Sequence, residues 1–487
     1  MNEILSLAPQ NVWKHFYSLT QIPRPSGHLE KIQAFLLEFG KQVGVESFQD
    51  EAGNIIYRKP ATPGMEDRKS VILQAHMDMV PQKDKHTQHD FEKDPIPVYV
   101  DGEWVKAKGT TLGSDNGMGV AAIMAIMEDK TLKHGPLTAL ITADEETGMY
   151  GAFGLKQGTV EGEILLNLDS EEEGELYIGC AGGEDLTATL EYKEEETDPE
   201  DVALKVTLKG LRGGHSGIQI GWGHANANKL MARFMNQVIA YDEACLVSWE
   251  GGNMRNAIPR EAYAICAVPE DAKHDVRTEL NIFTAEVEDE LSAVEPDLQL
   301  VLESESARAK AIDQDTTGRL LQALYAAPHG VYAMSQDIPG LVETSTNLAS
   351  VKMKPDHIIR IETSQRSSII SARNDIANTV RAVFRLAGAN VTFGEGYPGW
   401  KPNPNSAILK VAAESYQRLF GVEAKVKAIH AGLECGLFLD KYPSLDMISF
   451  GPTLTGVHSP DERMLIPTVE KFWNHLLDVL VHVPAKQ

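Results

Sequence analysis

The chain has 487 residues, and its 70 acidic side chains outnumber its 45 basic ones, which gives a formal net charge of -25. A chain of this length can form two or more domains, and 43% hydrophobic with 24% charged residues is ordinary for a globular protein. A surface this negative repels phosphate backbones and anionic membranes. We therefore expect neither nucleic acid nor a membrane among its partners.

The N-terminal sequence MNEILSLAPQNVWK lacks the basic region, apolar run and cleavage site of a signal peptide. No run approaches the roughly 18 apolar residues that a membrane helix requires. The four cysteines are widely spaced and form no CxxC pair: Cys180, Cys245, Cys266 and Cys435. This usage fits a reducing compartment, so the sequence predicts a cytoplasmic protein without disulfides or a thiolate metal site.

The first third of the chain alternates short apolar runs with helical patterns. Three runs are continuous and apolar, as expected for buried strands: Val71–Ala75, Leu137–Thr142 and Ile164–Leu168. Asn116–Glu128 reads as a buried helix between the first two. The pattern predicts an α/β domain with a mostly parallel sheet and helices on both faces.

The middle of the chain predicts a separate α+β domain. The predicted order is strand 202–210, helix 225–241, strands 244–250 and 261–269, helix 271–292 and strand 298–304. A similar order recurs through 317–330, 347–353, 357–363, 371–387 and 390–394. We interpret it as two related βαββαβ-type halves.

Beyond Trp400 the helical pattern resumes with Ser406–Phe420, which ends before Gly421. A strand at 443–450 and a helix at 467–482 then return to the first domain. The predicted organisation is a discontinuous metal-binding catalytic domain, residues 1–184 and 398–487. A lid or substrate-binding domain, residues 185–397, interrupts it.

Acidic residues follow each apolar run of the first domain. The run 71–75 leads to His76 and Asp78, the run 137–142 leads to Asp144-Glu145-Glu146, and the run 164–168 leads to Asp169. The carboxyl ends of parallel strands meet along one crevice, and Asp115 could project into it from the start of the buried helix. The sequence therefore predicts a cluster of carboxylates with one histidine.

Carboxylates this close repel one another unless cations hold them. Histidine with Asp or Glu, and no cysteine, suits zinc, and manganese or cobalt less exclusively. Each signal alone has an ordinary explanation, since an acidic triplet is usually a solvated loop and an Asp before a helix is usually an N-cap. Their shared place at strand ends favours metal. We interpret Glu171–Glu175 as a solvated acidic loop.

HMDMV, GSDNG, ADEETG, LDSEEEG and TGVHSPDE resemble the motifs of the dizinc aminoacylase and dipeptidase superfamily, in which a lid domain interrupts a two-zinc domain. VILQAHMDMVPQK, KGTTLGSDNG, GCAGGEDLT, HAGLECGLF and GPTLTGVHSPDE resemble its bacterial aminoacyl-histidine dipeptidase branch. The resemblance implies two zinc ions, for which cobalt or manganese can substitute. It implies these metal ligands: Asp115 as the bridge, His76 and Asp169 on one ion, and Glu146 and His458 on the other.

The resemblance also implies catalytic roles for two further residues. Asp78 would orient His76 from behind, and Glu145 would be the general base for a hydroxide that bridges the metals. The family often has a cis peptide after the bridging aspartate, which predicts one at Asp115–Asn116.

From the resemblance, four further residues are expected at the substrate, three of them in the predicted lid and Gly432 in HAGLECG beyond it. His215 in GGHSG would stabilise the oxyanion, commonly in the partner subunit's site, and Arg366 would clamp a substrate carboxylate. Asn256 and Gly432 would also contact substrate. On sequence alone, a surface loop for His215 and a surface ion pair for Arg366 remain open.

The leading hypothesis from these residues and the resemblance is a dipeptidase. The resemblance alone implies a homodimer through the lid and a preference for histidine. The substrates would be Xaa-His dipeptides, including β-alanyl-histidine (carnosine). The alternatives are an N-acyl-amino-acid deacylase or a tripeptidase with the same metal site, and an inactive metal-bound binding module.

Overall fold

The computed structural model describes residues 3–240 and 244–486, which form two compact units. The first unit comprises described residues 3–180, 400–428 and 433–486. The second comprises 181–240, 244–399 and the short segment 429–432, so it is an insertion within the first. Among the described residues, no helix combines the length and apolar character needed to cross a membrane.

The first unit contains helices and strands from both ends of the chain. Its helices are α1 (Gln10–Thr20), α2 (Glu30–Val43), α3 (Ser114–Glu128), α4 (Tyr150–Gly154), α9 (Ala407–Phe420), α10 (Glu434–Lys441) and α11 (Ile466–His482). Its strands are β1 (Glu46–Gln49), β2 (Ile55–Lys59), β3 (Val71–His76), β4 (Val98–Asp101), β5 (Trp104–Ala107), β6 (Leu137–Thr142), β7 (Ile164–Asn167), β8 (Glu175–Cys180), β22 (Lys425–Ile429), β23 (Asp446–Ser449), β24 (Leu454–Thr455) and β25 (Arg463–Leu465).

An eight-stranded sheet in the order β1-β2-β6-β3-β7-β23-β8-β22 forms the centre of the first unit. The strands β6, β3, β7 and β23 are parallel neighbours, whereas β1, β2 and β8 pair antiparallel. Every residue of β3, β6 and β7 is buried, as expected for a parallel strand covered on both faces. The predicted α/β fold is confirmed, and the three apolar runs are the adjacent strands β3, β6 and β7.

Helix α3 packs against β3 and is buried around its whole circumference, because its sequence carries almost no polar side chains. Gly119 allows this close approach, since a Cβ there would lie 2.7 Å from the Leu168 carbonyl oxygen. The Asp115–Asn116 peptide bond at the start of α3 is cis, which confirms the prediction.

The second unit holds the remaining elements. Its helices are α5 (Ala227–Val238), α6 (Lys273–Leu291), α7 (Gln314–Ala326) and α8 (Ile370–Leu386). Its strands are β9 (Gly182–Glu191), β10 (Glu194–Glu196), β11 (Val202–Lys209), β12 (Gly214–His215), β13 (Cys245–Gly251), β14 (Ala257–Ile258), β15 (Ala262–Val268), β16 (Gln299–Glu305), β17 (Lys310–Ile312), β18 (Gly330–Met334), β19 (Val342–Lys354), β20 (Ile358–Ser367) and β21 (Asn390–Phe393). The predicted end of helix 225–241 at Tyr241 lies outside the described residues.

The main sheet of the second unit runs β16-β11-β15-β13-β19-β20-β9-β21, with β18 paired to β19. Strands β11, β13, β15 and β16 form one βαββαβ half, and β9, β19, β20 and β21 form the other in the same spatial order. Both predicted halves are present. The first strand of the second half, β9, was missed, because it precedes the entire first half in the chain.

Candidate active site

The candidate metal ligands of the first unit come from the carboxyl ends of neighbouring parallel strands. His76 is the last residue of β3, Glu146 lies four residues beyond the end of β6, and Asp169 lies two beyond the end of β7. Asp115 enters from the first turn of α3, and His458 from the connection between β24 and β25. The crevice at the carboxyl ends of the strands is the usual place for a binding site in a parallel sheet.

These five side chains form two groups that share Asp115. The Nε2 atom of His76 lies 3.0 Å from Oδ1 of Asp115 and 3.4 Å from Oδ1 of Asp169. The Nε2 atom of His458 lies 3.1 Å from Oδ2 of Asp115 and 2.9 Å from Oε2 of Glu146. Within each group, one ligand atom from each residue lies within 4.8 Å of the others. Each oxygen of Asp115 therefore faces a different histidine.

The chemistry of this cluster fits divalent metal ions. Burial and the neighbouring charges of Asp115 and Glu146 raise the pKa of Asp169 to about 6, although His76 opposes the rise. Glu146 Oε1 is buried and has no hydrogen-bond partner among the described residues. Imidazole nitrogens and carboxylate oxygens without a thiolate are a donor set for zinc and related ions.

Asp78 lies behind this cluster and joins two of its segments. Its Oδ1 atom lies 3.4 Å from Nδ1 of His76 and accepts a hydrogen bond from the Glu145 amide at 3.0 Å. Its Oδ2 atom accepts from the Ser26 hydroxyl at 2.8 Å and from the Glu146 amide at 3.2 Å. Asp78 thus lies beside the ring of His76 and holds the loop that follows β6 through two backbone amides.

Glu145 is half-buried beside the cluster. Burial raises the pKa of Glu145 well above its usual value, and the carboxylates of Asp169, Glu434 and Glu146 add to the rise while His76 opposes it. A carboxylate in such surroundings accepts a proton more readily than one in water. This property suits a general base.

The second unit contains a separate cluster around Arg366. Its Nη1 donates to the Tyr397 hydroxyl at 2.8 Å, and its Nε and Nη2 lie 3.4 Å from the Ser216 hydroxyl. Arg366 is only 7% exposed, and no carboxylate oxygen of residues 3–240 or 244–486 lies within 4.0 Å of it. A buried guanidinium without a counter-ion is ready to bind an anionic group.

His215 lies next to this guanidinium and is neutral. Burial, with a smaller contribution from Arg366, lowers the pKa of His215 to about 4. Its Nδ1 accepts hydrogen bonds from the amides of Gly217 and Ile218, both at 3.1 Å. The ring proton is therefore on Nε2, which is free to donate.

Gly432 and Asn256, the other two predicted substrate residues, border the same cluster. A Cβ at Gly432 would lie 2.9 Å from the ring of Tyr397, the residue that contacts Arg366. The Asn256 carbonyl accepts from the Ser216 amide at 2.8 Å, and its side chain is exposed. The structure thus brings all four predicted substrate residues together within one unit.

Sequence reasoning missed several residues that shape these clusters: Arg24, Ser216, Tyr397, His430, Glu434 and Glu462. His430 is buried beside Arg366, and its Nε2 lies 2.7 Å from the Ser345 hydroxyl. Glu434 is buried and accepts from Gln74 at 2.6 Å and Thr142 at 2.8 Å. Glu434 and His430 stand in HAGLECG, and Glu462 stands in TGVHSPDE. Their presence in motifs shared with the family could have marked them as site residues.

The interpretation of Glu171–Glu175 as a solvated loop is wrong at both ends. Glu171 is half-buried, and burial together with the charges of Asp115 and Asp169 raises its pKa to about 8. Glu175 begins β8, is buried, and its Oε1 accepts from Lys427 at 2.5 Å. The acidic run was predicted to be exposed because no basic residue stands close to it in the sequence. Its partner Lys427 lies about 250 positions further along the chain.

The family model of peptidase family M20/M25/M40 matches residues 72–482, and the chain belongs to this family. It is 45% identical over 486 residues to the cytosol non-specific dipeptidase of Escherichia coli, covering 100% of both chains. The crystal structure of aminoacylhistidine dipeptidase from Vibrio alginolyticus has a TM-score of 0.92 at 43% identity, covering 100% of this chain and 99% of that one. The predicted resemblance is confirmed.

A more distant solved structure shares the fold alone. A tripeptidase from Staphylococcus aureus matches with a TM-score of 0.57 at 17% identity, covering 98% of this chain and 99% of that one. At this low identity the similarity shows a shared fold and says nothing about a shared function.

Proposed function

We propose that the protein is a cytosolic, metal-dependent dipeptidase that hydrolyses Xaa-His dipeptides, including β-alanyl-histidine. The observation that carries the proposal is the pair of histidine–carboxylate groups that share Asp115. The E. coli and V. alginolyticus relatives, by name a cytosol non-specific dipeptidase and an aminoacylhistidine dipeptidase, support the substrate class and the compartment.

Two zinc ions fit the five ligand side chains. His76 and Asp169 would hold one ion and His458 and Glu146 the other, with one oxygen of Asp115 for each. Cobalt or manganese would suit the same donor set. When bound, the ions supply Lewis acidity for the peptide carbonyl and lower the pKa of a water molecule.

Glu145 takes the proton of the attacking water and returns it to the leaving amine. Its carboxylate is half-buried beside the metal ligands, and its raised pKa suits both steps. Asp78 holds the backbone of Glu145 and the ring of His76 in one orientation. It therefore positions the base relative to a metal ligand.

The cluster in the second unit recognises the substrate. Arg366 has a buried guanidinium with no carboxylate partner in the part of the chain that the structure describes, which fits the α-carboxylate of a dipeptide's second residue. Nε2 of His215 carries a proton that can stabilise the oxyanion. Asn256 and Gly432 complete the contacts with an exposed amide and with backbone.

We further propose a homodimer that forms through the second unit. Among the described strands, β18 pairs with β19 alone, and the side chains of Val331, Tyr332 and Met334 on it are 41 to 54% exposed. Trp222, 58% exposed, belongs to a short turn next to the same strand. An unpaired strand edge with exposed apolar side chains can associate with a second copy. Sedimentation velocity of the wild-type protein tests this point.

The decisive experiment combines metal analysis with a substrate panel. The purified protein should contain two divalent ions per chain and should hydrolyse Ala-His and β-alanyl-histidine faster than an N-acetylated amino acid or a tripeptide. Faster cleavage of the N-acetylated substrate would indicate a deacylase instead. Glu145→Gln should reduce kcat by at least about 10³-fold and retain the metal. Turnover at the wild-type rate would refute the role of Glu145.

A further inference from the structure

The segment that leads into Asp115 is held by a single buried carboxylate, Glu462. Its Oε2 accepts from the amides of Leu112 at 2.7 Å and Gly113 at 3.0 Å. Its Oε1 accepts from the amide and hydroxyl of Ser114 at 2.7 and 2.6 Å, and from the Asp115 amide at 3.3 Å. Glu462 is 2% exposed. Four consecutive amides therefore depend on one side chain for their hydrogen bonds.

Glu462 also lies on the loop that carries His458. Both residues belong to the connection between β24 and β25, which pair Leu454 with Met464 and Thr455 with Arg463. Strand β25 continues this pairing to β5, so the loop is anchored to a four-stranded sheet. The carboxylate consequently ties the loop of His458 to the segment of Asp115, whose side chains meet at 3.1 Å.

Arg24 holds the same segment from its other side. Its Nη2 donates to the Gly113 carbonyl at 2.5 Å, and its Nη1 donates to the carbonyls of Met77 and Asp78, both at 3.0 Å. Met77 and Asp78 directly follow His76, so Arg24 connects the segment of Asp115 with the end of β3. Arg24 is 2% exposed.

Gly113 fills the space between the two charged groups, with its amide on Glu462 and its carbonyl on Arg24. Its φ of 70° is in the left-handed region, and a Cβ would lie 2.6 Å from Nη2 of Arg24 and 2.7 Å from Sδ of Met79. Only glycine fits this position without moving the guanidinium.

We propose that Glu462 and Arg24 are positioning residues that place Asp115, His458 and His76 at ligand distance before a metal ion binds. The inference rests on the metal-binding role proposed above for these three residues. Both charged side chains support the backbone that leads into the candidate bridging ligand, and hydrogen bonds to ionised groups are about twice as strong as neutral ones. Partners behind metal ligands typically change metal affinity or activity by about 10–100-fold when they are removed.

The test is Glu462→Gln, which keeps the size of the side chain. An amide accepts through one atom only, so either the amides of Leu112 and Gly113 or the donors of Ser114 and Asp115 lose their acceptor. The apo-protein is titrated with zinc against a chromogenic chelator, and kcat and KM are measured on the zinc-loaded enzyme. We expect zinc affinity to fall about 10–100-fold and kcat to fall with it, while KM stays within about twofold.

The matched control is Asp446→Asn, the same change on a carboxylate that accepts from the Ile408 amide at 2.9 Å and the Ser406 hydroxyl at 2.5 Å. Asp446 begins β23, at the end of the strand away from the ligands. This control should lower thermal stability and leave zinc affinity within about twofold. Unchanged zinc affinity in folded Glu462→Gln, or an equal loss in the control, would overturn the proposal.

Two further variants keep the test decisive if Glu462→Gln fails to fold. Ser114→Ala removes one donor from Glu462 and should weaken zinc binding by about threefold, within the range of one hydrogen bond. Arg24→Lys keeps the positive charge but loses the planar guanidinium that donates to three carbonyls at once. It should weaken zinc binding by about tenfold. Wild-type affinity in both variants would refute the proposal. Because zinc binding is measured without substrate, a wild-type protein that hydrolyses no dipeptide would refute the proposed activity and leave this inference standing.

Discussion

The Nδ1 atom of His76 lies 3.4 Å from Oδ1 of Asp78, and both side chains are almost completely buried. The same Asp78 oxygen accepts from the amide of Glu145. A candidate metal ligand and the candidate general base therefore contact the same carboxylate, and an imidazole that binds metal through Nε2 needs an acceptor for Nδ1.

Asp78→Asn should lower kcat about 10–100-fold, because an amide is a weaker acceptor for the His76 ring. KM should change by less than threefold, because the described hydrogen bonds of Asp78 run to Ser26, Glu145 and Glu146, none of which is a predicted substrate residue. Steady-state kinetics and zinc titration check both values. Ser26→Ala removes the 2.8 Å hydrogen bond to Oδ2 and a 3.2 Å bond to the Met79 carbonyl but leaves Oδ1 beside His76, so it is the control and should retain most activity. A control as impaired as Asp78→Asn would contradict the role of the ring contact.

Removal of the metal ions should destabilise the first unit. Without cations, the carboxylates of Asp115, Glu146 and Asp169 repel one another in a buried cluster. Ions that bind only the folded state stabilise it by about 2.7 kcal/mol at a concentration of 100 Kd. Thermal unfolding with and without a chelator should show a lower Tm for the apo-protein, restored by zinc. Equal Tm values would contradict the metal site.

Arg366→Lys should raise KM by about tenfold or more, because lysine cannot form the paired hydrogen bonds of a guanidinium with a carboxylate. The informative comparison is a dipeptide against its C-terminal amide. The wild-type enzyme should prefer the free carboxylate, and the variant should lose that preference. Arg233→Lys serves as control, since Arg233 already pairs with Glu290 at 2.8 Å. Retained preference in Arg366→Lys would place the carboxylate elsewhere.

Lys59→Met should lower the free energy of unfolding by about 2 kcal/mol. The Lys59 ammonium caps the carboxyl end of α3, where it donates to the carbonyls of Ile126 at 2.6 Å, Met127 at 3.3 Å and Asp129. Lys93→Met is the control, because Lys93 is exposed and its ammonium pairs only with Asp90 among the described residues. Denaturant unfolding measures both. A loss below about 0.5 kcal/mol for Lys59→Met would show that the cap contributes little.

The second unit should lose stability in acid partly through His329. Burial, with a smaller effect of Lys229, lowers the pKa of His329 to about 3 in the folded protein, against a usual value of 6.5. The unfolded chain therefore binds more protons between these values. The contribution of His329 is complete above pH 6.5 and is lost as the pH falls towards 3, by at most about 1.4 kcal/mol per pH unit.

His329→Gln, which does not titrate, isolates this effect. The glutamine oxygen can accept the bonds that Nδ1 of His329 accepts from the Leu348 amide at 3.4 Å and the Asn226 amide group at 3.3 Å. Urea unfolding at pH 7.5 and 5.0 should show a smaller acid loss for the variant than for the wild-type protein. Parallel losses would assign the acid sensitivity to other groups.

The parallel core of the first unit was predictable from sequence because its information is local. A run without charged residues such as Leu137–Thr142 indicates a covered strand or helix, and the acidic residues that follow it mark the carboxyl end of the strand. The proximity of His76, Asp115 and Asp169 followed from the geometry of parallel strands. His458 and the residues around Arg366 came only from motif resemblance, since nothing local connects them with the rest.

The remaining features were not predictable because their partners are remote. Glu462 acts on amides about 350 positions earlier in the chain, and a carboxylate that binds backbone leaves no pattern in the partner sequence. Strands β24 and β25 have two and three residues, too few for any periodicity. Strand β9 alternates apolar residues, but its neighbours β20 and β21 follow the whole first half.

Because β20 and β21 are translated long after β9, the order of the strands in the chain affects folding during synthesis. Gly182 in β9 pairs with Ser367, and Glu191 pairs with Ile358. During synthesis, β9 therefore leaves the ribosome long before the strands on either side of it exist. Pairing across such a distance in the chain slows folding, and an unpaired edge is prone to aggregation in the meantime. The nascent chain therefore folds correctly only if β9 does not pair with strands of other chains before β20 and β21 have been translated.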